Sequence, residues 1–438
     1  MMSDRIERMV IKFRDVLATT ERLPPDQLRV YQDKLLAPLI EHAHRNVPFY
    51  QSWLAPLFGS KNPDLSKWSE VPILTRAEAQ RNTQALTARI VPPHAGDISG
   101  GETSGSTGRP LRYLVNELNN VASLGTTDRA MRWWDFDGAK TMATFVARNR
   151  GAEAAPDGKT VTGWRVGSAG LHHLIDMSAD TDKRIDWLLA RRPHYLTAHS
   201  FTLADLAERV RARGVDLRFE RINSTSSVLS DDIRDICSDV LGARPIDQYG
   251  ARETGLIACE CPCCGRYHIN AETMLVEILD SQGQPSAPGE IGRVVLTSLY
   301  NYAMPFIRYE IGDYAIAGPA RVKCPVKLPA LTRIMGRYRN SFTLFDGRII
   351  YPHVPVARMR DFIAFTQFQI VQTDFGSIEV RYVPLDPPQP ADVTGLEACV
   401  RELIDSSLNV QAVAVDEIKR SASGKFEDYL SLVSPQRR

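Results

Sequence analysis

Residues 99–110 read Ser99-Gly-Gly-Glu-Thr-Ser-Gly-Ser-Thr-Gly-Arg-Pro110. Glycines stand among hydroxyl residues, and a single cation, Arg109, closes the run. Glycine lets the backbone turn successive N–H groups toward one point, and the hydroxyls add further donors. That chemistry suits the oxygens of a phosphate chain. No Lys-Ser or Lys-Thr follows the last glycine, so the run is not a Walker A loop. Composition alone reads equally well as a flexible linker, and the surrounding chain has to decide.

Outward from this loop the pattern is layered. Between residues 140 and 300, helix-like runs (201–213, 230–241) alternate with strand-like runs (218–223, 244–248, 273–279, 292–298). That alternation marks an α/β architecture. Upstream, Ile6, Met9, Val10 and Phe13 follow helical spacing, as do Leu35, Leu36, Leu39 and Ile40, with Pro24 and Pro25 between the two helices. Thr75 is placed to cap a helix beginning near Arg76. A second unit starts near Tyr338, with strands at 341–345, 366–373, 377–384 and 410–416 and helices near 353–362 and 393–407. The expected organisation is therefore a large unit over 1–337 and a small α+β unit over 338–438.

Composition narrows the function classes. The 438 residues carry 53 Lys+Arg against 52 Asp+Glu, a net charge of +1 that argues against a general nucleic-acid binder. At 43% hydrophobic and 24% charged, the chain is an ordinary globular one. No window approaches the roughly 18 consecutive apolar residues that a spanning helix needs. Asp4, Glu7 and Asp15 interrupt the N-terminal apolar residues, unlike a signal peptide, so the expectation is a cytoplasmic protein without membrane or nucleic-acid partners.

Cysteine placement says more than cysteine number. Seven is odd, which disfavours a disulfide framework. Cys237 and Cys399 sit in amphipathic stretches and read as core. Cys259, Cys261, Cys263 and Cys264 crowd together, and Cys261-Pro-Cys-Cys264-Gly265 has the CPxCG form of a zinc knuckle. His268 follows, and Cys324 comes later. Cys261, Cys264, His268 and Cys324 make a closed tetrahedral S3N set for structural Zn2+, with Cys259 and Cys263 as the alternatives for any one ligand.

Five blocks, in order, carry a resemblance. Thr103-Ser-Gly-Ser-Thr-Gly-Arg-Pro110 resembles the phosphate-binding signature of the adenylate-forming superfamily, (S/T)SG(S/T)TGxP. Tyr249-Gly-Ala-Arg-Glu-Thr254 resembles its YGxTE block, Arg308-Tyr-Glu-Ile-Gly-Asp313 its YRTGD block, Gly336-Arg337 its GRxD hinge and Ser423-Gly-Lys425 its terminal lysine block. His42-Ala-His-Arg-Asn-Val-Pro-Phe-Tyr50, Val71-Pro-Ile-Leu-Thr75 and Tyr302-Ala-Met-Pro-Phe-Ile-Arg-Tyr309 are similar to the phenylacetate-CoA ligase and CapK-like branch.

The resemblance implies ATP-dependent activation of a carboxylic acid, aromatic or small, to an acyl-adenylate with loss of pyrophosphate. The acyl group then passes to CoA, an amine or a carrier-protein thiol; an amine acceptor would make the chain an amide-bond ligase. It implies that Thr103, Ser104, Gly105, Ser106, Thr107, Gly108 and Arg109 hold the β- and γ-phosphates and that Glu253 holds Mg2+. Tyr249 would stack on adenine, with Gly250 and Thr254 beside the nucleotide, and Asp313 would accept from the ribose. Lys425 would bridge the acid and the α-phosphate, and Arg337 would lie at the hinge on which the small domain turns. A homodimer is an allowed assembly. Two positions depart from the pattern: Arg339 stands where the hinge carboxylate belongs, and Ser224-Thr-Ser-Ser-Val228 has no Glu where the superfamily carries one against adenine. The rival class is a catalytically retired, zinc-stapled nucleotide-binding or scaffold protein.

Overall fold

The N-terminal spacing folds as read. The computed structural model describes residues 4–59, 62–103, 110–146, 157–337, 341–352, 354, 356–385, 390–418 and 428–433. It opens on α1 (Asp4–Thr20) and α2 (Pro25–Asn46), with Pro25 in the first turn, where its missing N–H leaves no helical bond unmade. After α3 (Tyr50–Trp53) come β1 (Leu74–Thr75) and α4 (Arg76–Arg81). Thr75 caps α4 in a capping box with Glu78. The glycine-rich run sits on a hairpin, β2 (Ile98–Glu102) and β3 (Arg112–Asn116), which leads into α5 (Glu117–Trp133).

The alternating half follows: β4 (Met142–Val146), β5 (Lys159–Thr162), β6 (Leu171–Asp176), α6 (Thr181–Arg191), β7 (Tyr195–His199), α7 (Ser200–Arg213), β8 (Arg221–Thr225), α8 (Asp231–Leu241) and β9 (Ile246–Ala251). Strands β4, β6, β7, β8 and β9 pair in parallel. Their apolar residues Leu196, Ala198 and Ile222 are buried with Leu203, Leu206, Val210 and Cys237 of α7 and α8, the packing that a helix crossover imposes on a parallel sheet. The expected strand at 218–223 begins only at Arg221, because the Phe219 N–H bonds the Leu241 carbonyl instead of a neighbouring strand. A helix-free half completes the unit: β10 (Gly255–Glu260), β11 (Tyr267–Ile269), β12 (Met274–Leu279), β13 (Ile291–Ser298), β14 (Tyr309–Ala317) and β15 (Ala330–Arg337). Among the described residues thirteen strands share one sheet, in the order β12-β13-β14-β15-β11-β10-β9-β8-β7-β4-β6-β5, with β1 added beside β14.

The fold is α/β, with a large N-terminal unit and a small C-terminal one. Two compact units divide the chain, Met1–Ile334 and Met335–Arg438, the break falling within β15 just ahead of Tyr338. The second contains β16 (Phe342–Thr343), β17 (Ile349–Ile350), α9 (Val356–Arg360), β18 (Phe365–Asp374), β19 (Ser377–Pro384), α10 (Val393–Ile404), β20 (Asn409–Ala414) and β21 (Tyr429–Ser431). Its sheet runs β20-β19-β18-β21 around a core of Ile370, Val380, Leu396 and Val400. Cys399 is buried in α10. Among the described residues no helix is long and apolar enough to cross a membrane.

The three N-terminal and central blocks quoted together above pack against one another. His42 Nε2 meets the Tyr302 carbonyl at 2.8 Å. Tyr50, fully buried, donates to the Pro305 carbonyl (2.9 Å) and accepts from the Ile307 N–H (3.1 Å). Arg308, at φ 45°, pairs with both oxygens of Glu277 and donates to the Ser69 and Val71 carbonyls. Strand β1 then adds in parallel to β14, Leu74 opposite Tyr309 and Thr75 opposite Glu310.

Replacing Tyr50 by Phe leaves a buried carbonyl and a buried N–H without a partner. The expected loss is about 1–3 kcal/mol, read as a lower thermal midpoint in differential scanning calorimetry. An unchanged midpoint would show that the junction between these blocks carries little stability.

Candidate functional site

The turn after β9 forms the centre. Gly250 lies against the next strand so closely that a Cβ there would stand 2.8 Å from the Gly255 carbonyl oxygen. Gly255, at φ 86°, faces Ser123 Oγ, which an added Cβ would approach to 2.6 Å. Glycine is required at both positions. The turn they shape buries Glu253, which is 3% exposed, and Thr254, whose Oγ1 has no hydrogen-bond partner among the described residues.

Two hydrogen bonds tie this turn to β14. The Tyr249 hydroxyl donates to Asp313 Oδ2 at 2.9 Å. The Tyr309 hydroxyl donates to Glu253 Oε1 at 3.3 Å. A third tie comes from the N-terminal region: Arg76 Nη1 donates to Glu253 Oε1 (3.0 Å) and to the Tyr309 hydroxyl (3.0 Å), while Nη2 donates to Thr103 Oγ1 (2.7 Å). Thr103 closes the hairpin, its Oγ1 also receiving the Leu111 N–H at 2.9 Å. Burial and the neighbouring Glu253 carboxylate push the Tyr309 pKa up, so its hydroxyl stays protonated.

The structure thus gathers Thr103, Tyr249, Gly250, Glu253, Thr254 and Asp313 into one place. Ser104, Gly105, Ser106, Thr107, Gly108 and Arg109 lie outside the described residues, as do Arg339 and Lys425. Arg337 ends β15 and belongs to the second unit. Chemically, the site offers a carboxylate engaged through one oxygen, a form of ligand that suits a hard cation such as Mg2+. Beside it stand a second carboxylate, an aromatic ring and two hydroxyls.

Arg76 and Tyr309 were not among the residues expected here. One signal was present for Arg76: a cation in the first turn of a helix opposes the helix dipole, so its place there calls for a partner elsewhere. Tyr309 stood in a quoted block, but nothing in sequence spacing brings it to Glu253.

The cysteine cluster forms a second centre in the same unit. Strands β10 and β11 pair antiparallel, Cys259 opposite His268, and the connecting turn carries Cys261 and Cys264. Cys324 approaches from the segment before β15. The donor atoms of Cys261, Cys264, His268 and Cys324 all lie within 4.8 Å of one another. Cys261 Sγ and Cys324 Sγ are 3.6 Å apart, and Cys264 Sγ and His268 Nε2 are 3.5 Å apart. Tetrahedral zinc, with Zn–S near 2.3 Å and Zn–N near 2.0 Å, separates its ligand atoms by about these distances. His268 Nδ1 lies 2.9 Å from the Leu328 carbonyl, a partner that leaves Nε2 to the cation. Burial lowers the His268 pKa and raises that of the Cys324 thiol, which favours the neutral form of each. Cys263 is exposed. Cys259 is buried in another cluster, with Ala130, Leu256 and Trp133.

Other polar and aromatic side chains of the large unit have partners away from these two centres. Trp133 Nε1 donates to Glu21 and Trp134 Nε1 to the Glu260 carbonyl. His172 and His173, neighbours on β6, face opposite ways and meet Thr144 and Thr160 respectively. The Ser200 hydroxyl donates to the Val228 carbonyl and meets Ser227. Ser224 is fully buried, its hydroxyl without a hydrogen-bond partner among the described residues.

No family model matches the chain. It is 23% identical over 396 residues to a phenylacetate-coenzyme A ligase of Thermus thermophilus, 84% of each chain being covered. A phenylacetate-coenzyme A ligase of Pseudomonas putida is 24% identical over 371 residues, 77% of each chain. Among solved structures, 2-hydroxyisobutyryl-CoA ligase in the postadenylation state, in complex with 2-HIB-AMP, superposes with a TM-score of 0.72 at 16% identity, covering 95% of this chain and 91% of that one. That last likeness speaks to the fold alone.

The donor geometry predicts about one zinc ion per purified chain by elemental analysis. Cys261→Ser and Cys324→Ser are expected to lose it and Cys263→Ser to keep it. Retention of zinc in the first two variants, or loss in the third, would disprove the ligand set.

Proposed function

We propose that this chain, which belongs to the adenylate-forming superfamily and to its phenylacetate-CoA ligase branch, joins a carboxylic acid to CoA at the expense of ATP. The observation that carries the reading is the convergence of three sequence blocks. The threonine that opens the phosphate loop, the Glu253 turn and the Asp313 strand are joined by direct hydrogen bonds through Arg76, Tyr309 and Tyr249.

In the first half-reaction an acid oxygen attacks the α-phosphorus of ATP and pyrophosphate leaves. Two anions must meet, so the site has to supply oriented donors and positive charge. Thr103 through Arg109 would hold the β- and γ-phosphates. Glu253 is the carboxylate for Mg2+, which would neutralise phosphate charge when bound; the Thr254 hydroxyl beside it, without a hydrogen-bond partner among the described residues, fits a site completed by nucleotide. Asp313, fixed by Tyr249, would accept from the ribose hydroxyls, and the Tyr249 ring would face adenine. Lys425 would approach the acid and the α-phosphate, with Arg337 at the hinge of the small domain. In the second half-reaction the CoA sulfur attacks the acyl carbon, AMP departs with the bond electrons and the thiol proton is lost. An amine acceptor would need the same first step. The S3N set serves as a structural zinc site, with no open position for chemistry. The acid is aromatic or small, and the cytoplasm is where ATP and CoA meet such acids.

Acid-dependent exchange of labelled pyrophosphate into ATP tests the first step across a panel of aromatic and short-chain acids. Glu253→Gln and Lys425→Ala should each lower exchange by about 100-fold or more. Absence of exchange with every acid, or wild-type rates in both variants, would refute the assignment. CoA should then convert the accumulated adenylate to thioester faster than any amine in a competition.

A further inference from the structure

Arg76 is the one charged group that reaches both the phosphate loop and Glu253 among the described residues, and nothing above gives it a role in the reaction. Its position is tightly set. Strand β1 is locked to β14 by register, with the Leu74 N–H on the Arg308 carbonyl at 2.9 Å. The Thr75–Glu78 capping box then starts α4 at Arg76, aiming its side chain at Tyr309 and the turn after β9. The Arg76 side chain is 13% exposed and that of Glu253, which it meets, 4%. A cation at a helix start, largely removed from water, is retained against two opposing effects, so its partners have to hold it.

The hydrogen bonds show what it does. Glu253 Oε1 receives both Arg76 Nη1 and the Tyr309 hydroxyl, and Oε2 receives neither. Among the described residues, one carboxylate oxygen is thus engaged and the other left available. Thr103 Oγ1 receives Arg76 Nη2 and the Leu111 N–H. Both of its lone pairs are filled, so its own O–H must be donated outward. One guanidinium therefore engages a single oxygen of Glu253 and directs the Thr103 hydroxyl proton away from itself.

We propose that Arg76 is a positioning residue for the metal–nucleotide step: it dictates, through Glu253 and Thr103, which oxygen of Glu253 meets Mg2+ and which donor of Thr103 meets a phosphate oxygen. This rests on the reading of Glu253 as the magnesium carboxylate. Arg76 acts on the nucleotide through these two side chains and leaves the acid untouched. Tyr309 is its helper, relaying the same constraint through its hydroxyl.

The test compares wild type, Arg76→Gln, Arg76→Lys, Tyr309→Phe, Glu253→Gln and the Arg76→Gln/Glu253→Gln double variant, all as full chains. Two quantities are read for each: the Mg2+ concentration giving half-maximal pyrophosphate exchange, and Mg2+-dependent ATP binding by calorimetry, which needs no turnover. Arg76→Gln should raise the Mg2+ requirement about tenfold, the scale expected when a group holding a metal ligand is lost. The KM for the acid should stay within about twofold of wild type, since Arg76 acts on the metal side alone. Arg76→Lys should recover part of the effect, and Tyr309→Phe, which removes one hydroxyl and keeps the fold testable, should shift the requirement in the same direction. In the Glu253→Gln background the Arg76 substitution should add little, because its action runs through that carboxylate.

Full additivity in the double variant, or equal shifts in Mg2+ requirement and acid KM, would overturn the proposal and leave the ligase assignment standing. Mg2+-dependent ATP binding with the predicted pattern but no exchange would overturn the ligase assignment and keep the role of Arg76. Absence of both from the wild-type chain would overturn the two together.

Discussion

A single, mostly buried arginine side chain ties together the centre of the large unit. Arg76 contacts a loop base at Thr103, a turn at Glu253 and a strand at Tyr309, positions separated by long stretches of chain. Each partner is needed for the others: Glu253 compensates the cation, Tyr309 shares both, and Thr103 fixes the second nitrogen. A buried ion pair of this kind is weak evidence of net stability, because desolvation offsets much of the attraction. Its value lies in orientation, since three side chains are given one arrangement each.

The N-terminal region packs into the main core and places that residue. The His42–Tyr50 and Tyr302–Tyr309 segments interlock through backbone carbonyls that accept from side chains, and Arg308 holds a positive φ against the pull of an ordinary backbone. Backbone strain of this sort persists only when its surroundings over-determine it. Here they do, because the Arg308 guanidinium is bound to Glu277 and to the carbonyls of Ser69 and Val71. The consequence is β1, two residues long, whose position on β14 is what the site depends on. The cysteine centre works in a similar way over a different loop, bringing the β10–β11 turn to Cys324 without a disulfide.

Much of the candidate site was legible because its chemistry is local. A glycine-rich hydroxyl run, a carboxylate after Tyr-Gly and an Asp after Gly each announce themselves within a few residues. The cysteine cluster was visible for the same reason, as CPxCG with a nearby His; the structure brings Cys261, Cys264, His268 and Cys324 together, with Cys263 exposed and Cys259 buried in another cluster. The helices and strands of the alternating half were read from periodicity, the strand at 218–223 being shorter because its first residues make their hydrogen bonds to α8 and to the turn before β7.

The amino-acid order alone determined the α/β class, the alternation of elements and the start of α4 at a capped threonine, since each rests on spacing along one segment. Only the tertiary structure decided that Arg76 and Tyr309 belong to the site, that Tyr249 orients Asp313, and that the quoted N-terminal and central blocks are partners of each other. Those facts depend on strand order in the sheet and on the docking of β1 beside β14, pairings between residues 64 positions apart at Tyr249–Asp313 and 233 at Arg76–Tyr309, which no local pattern encodes.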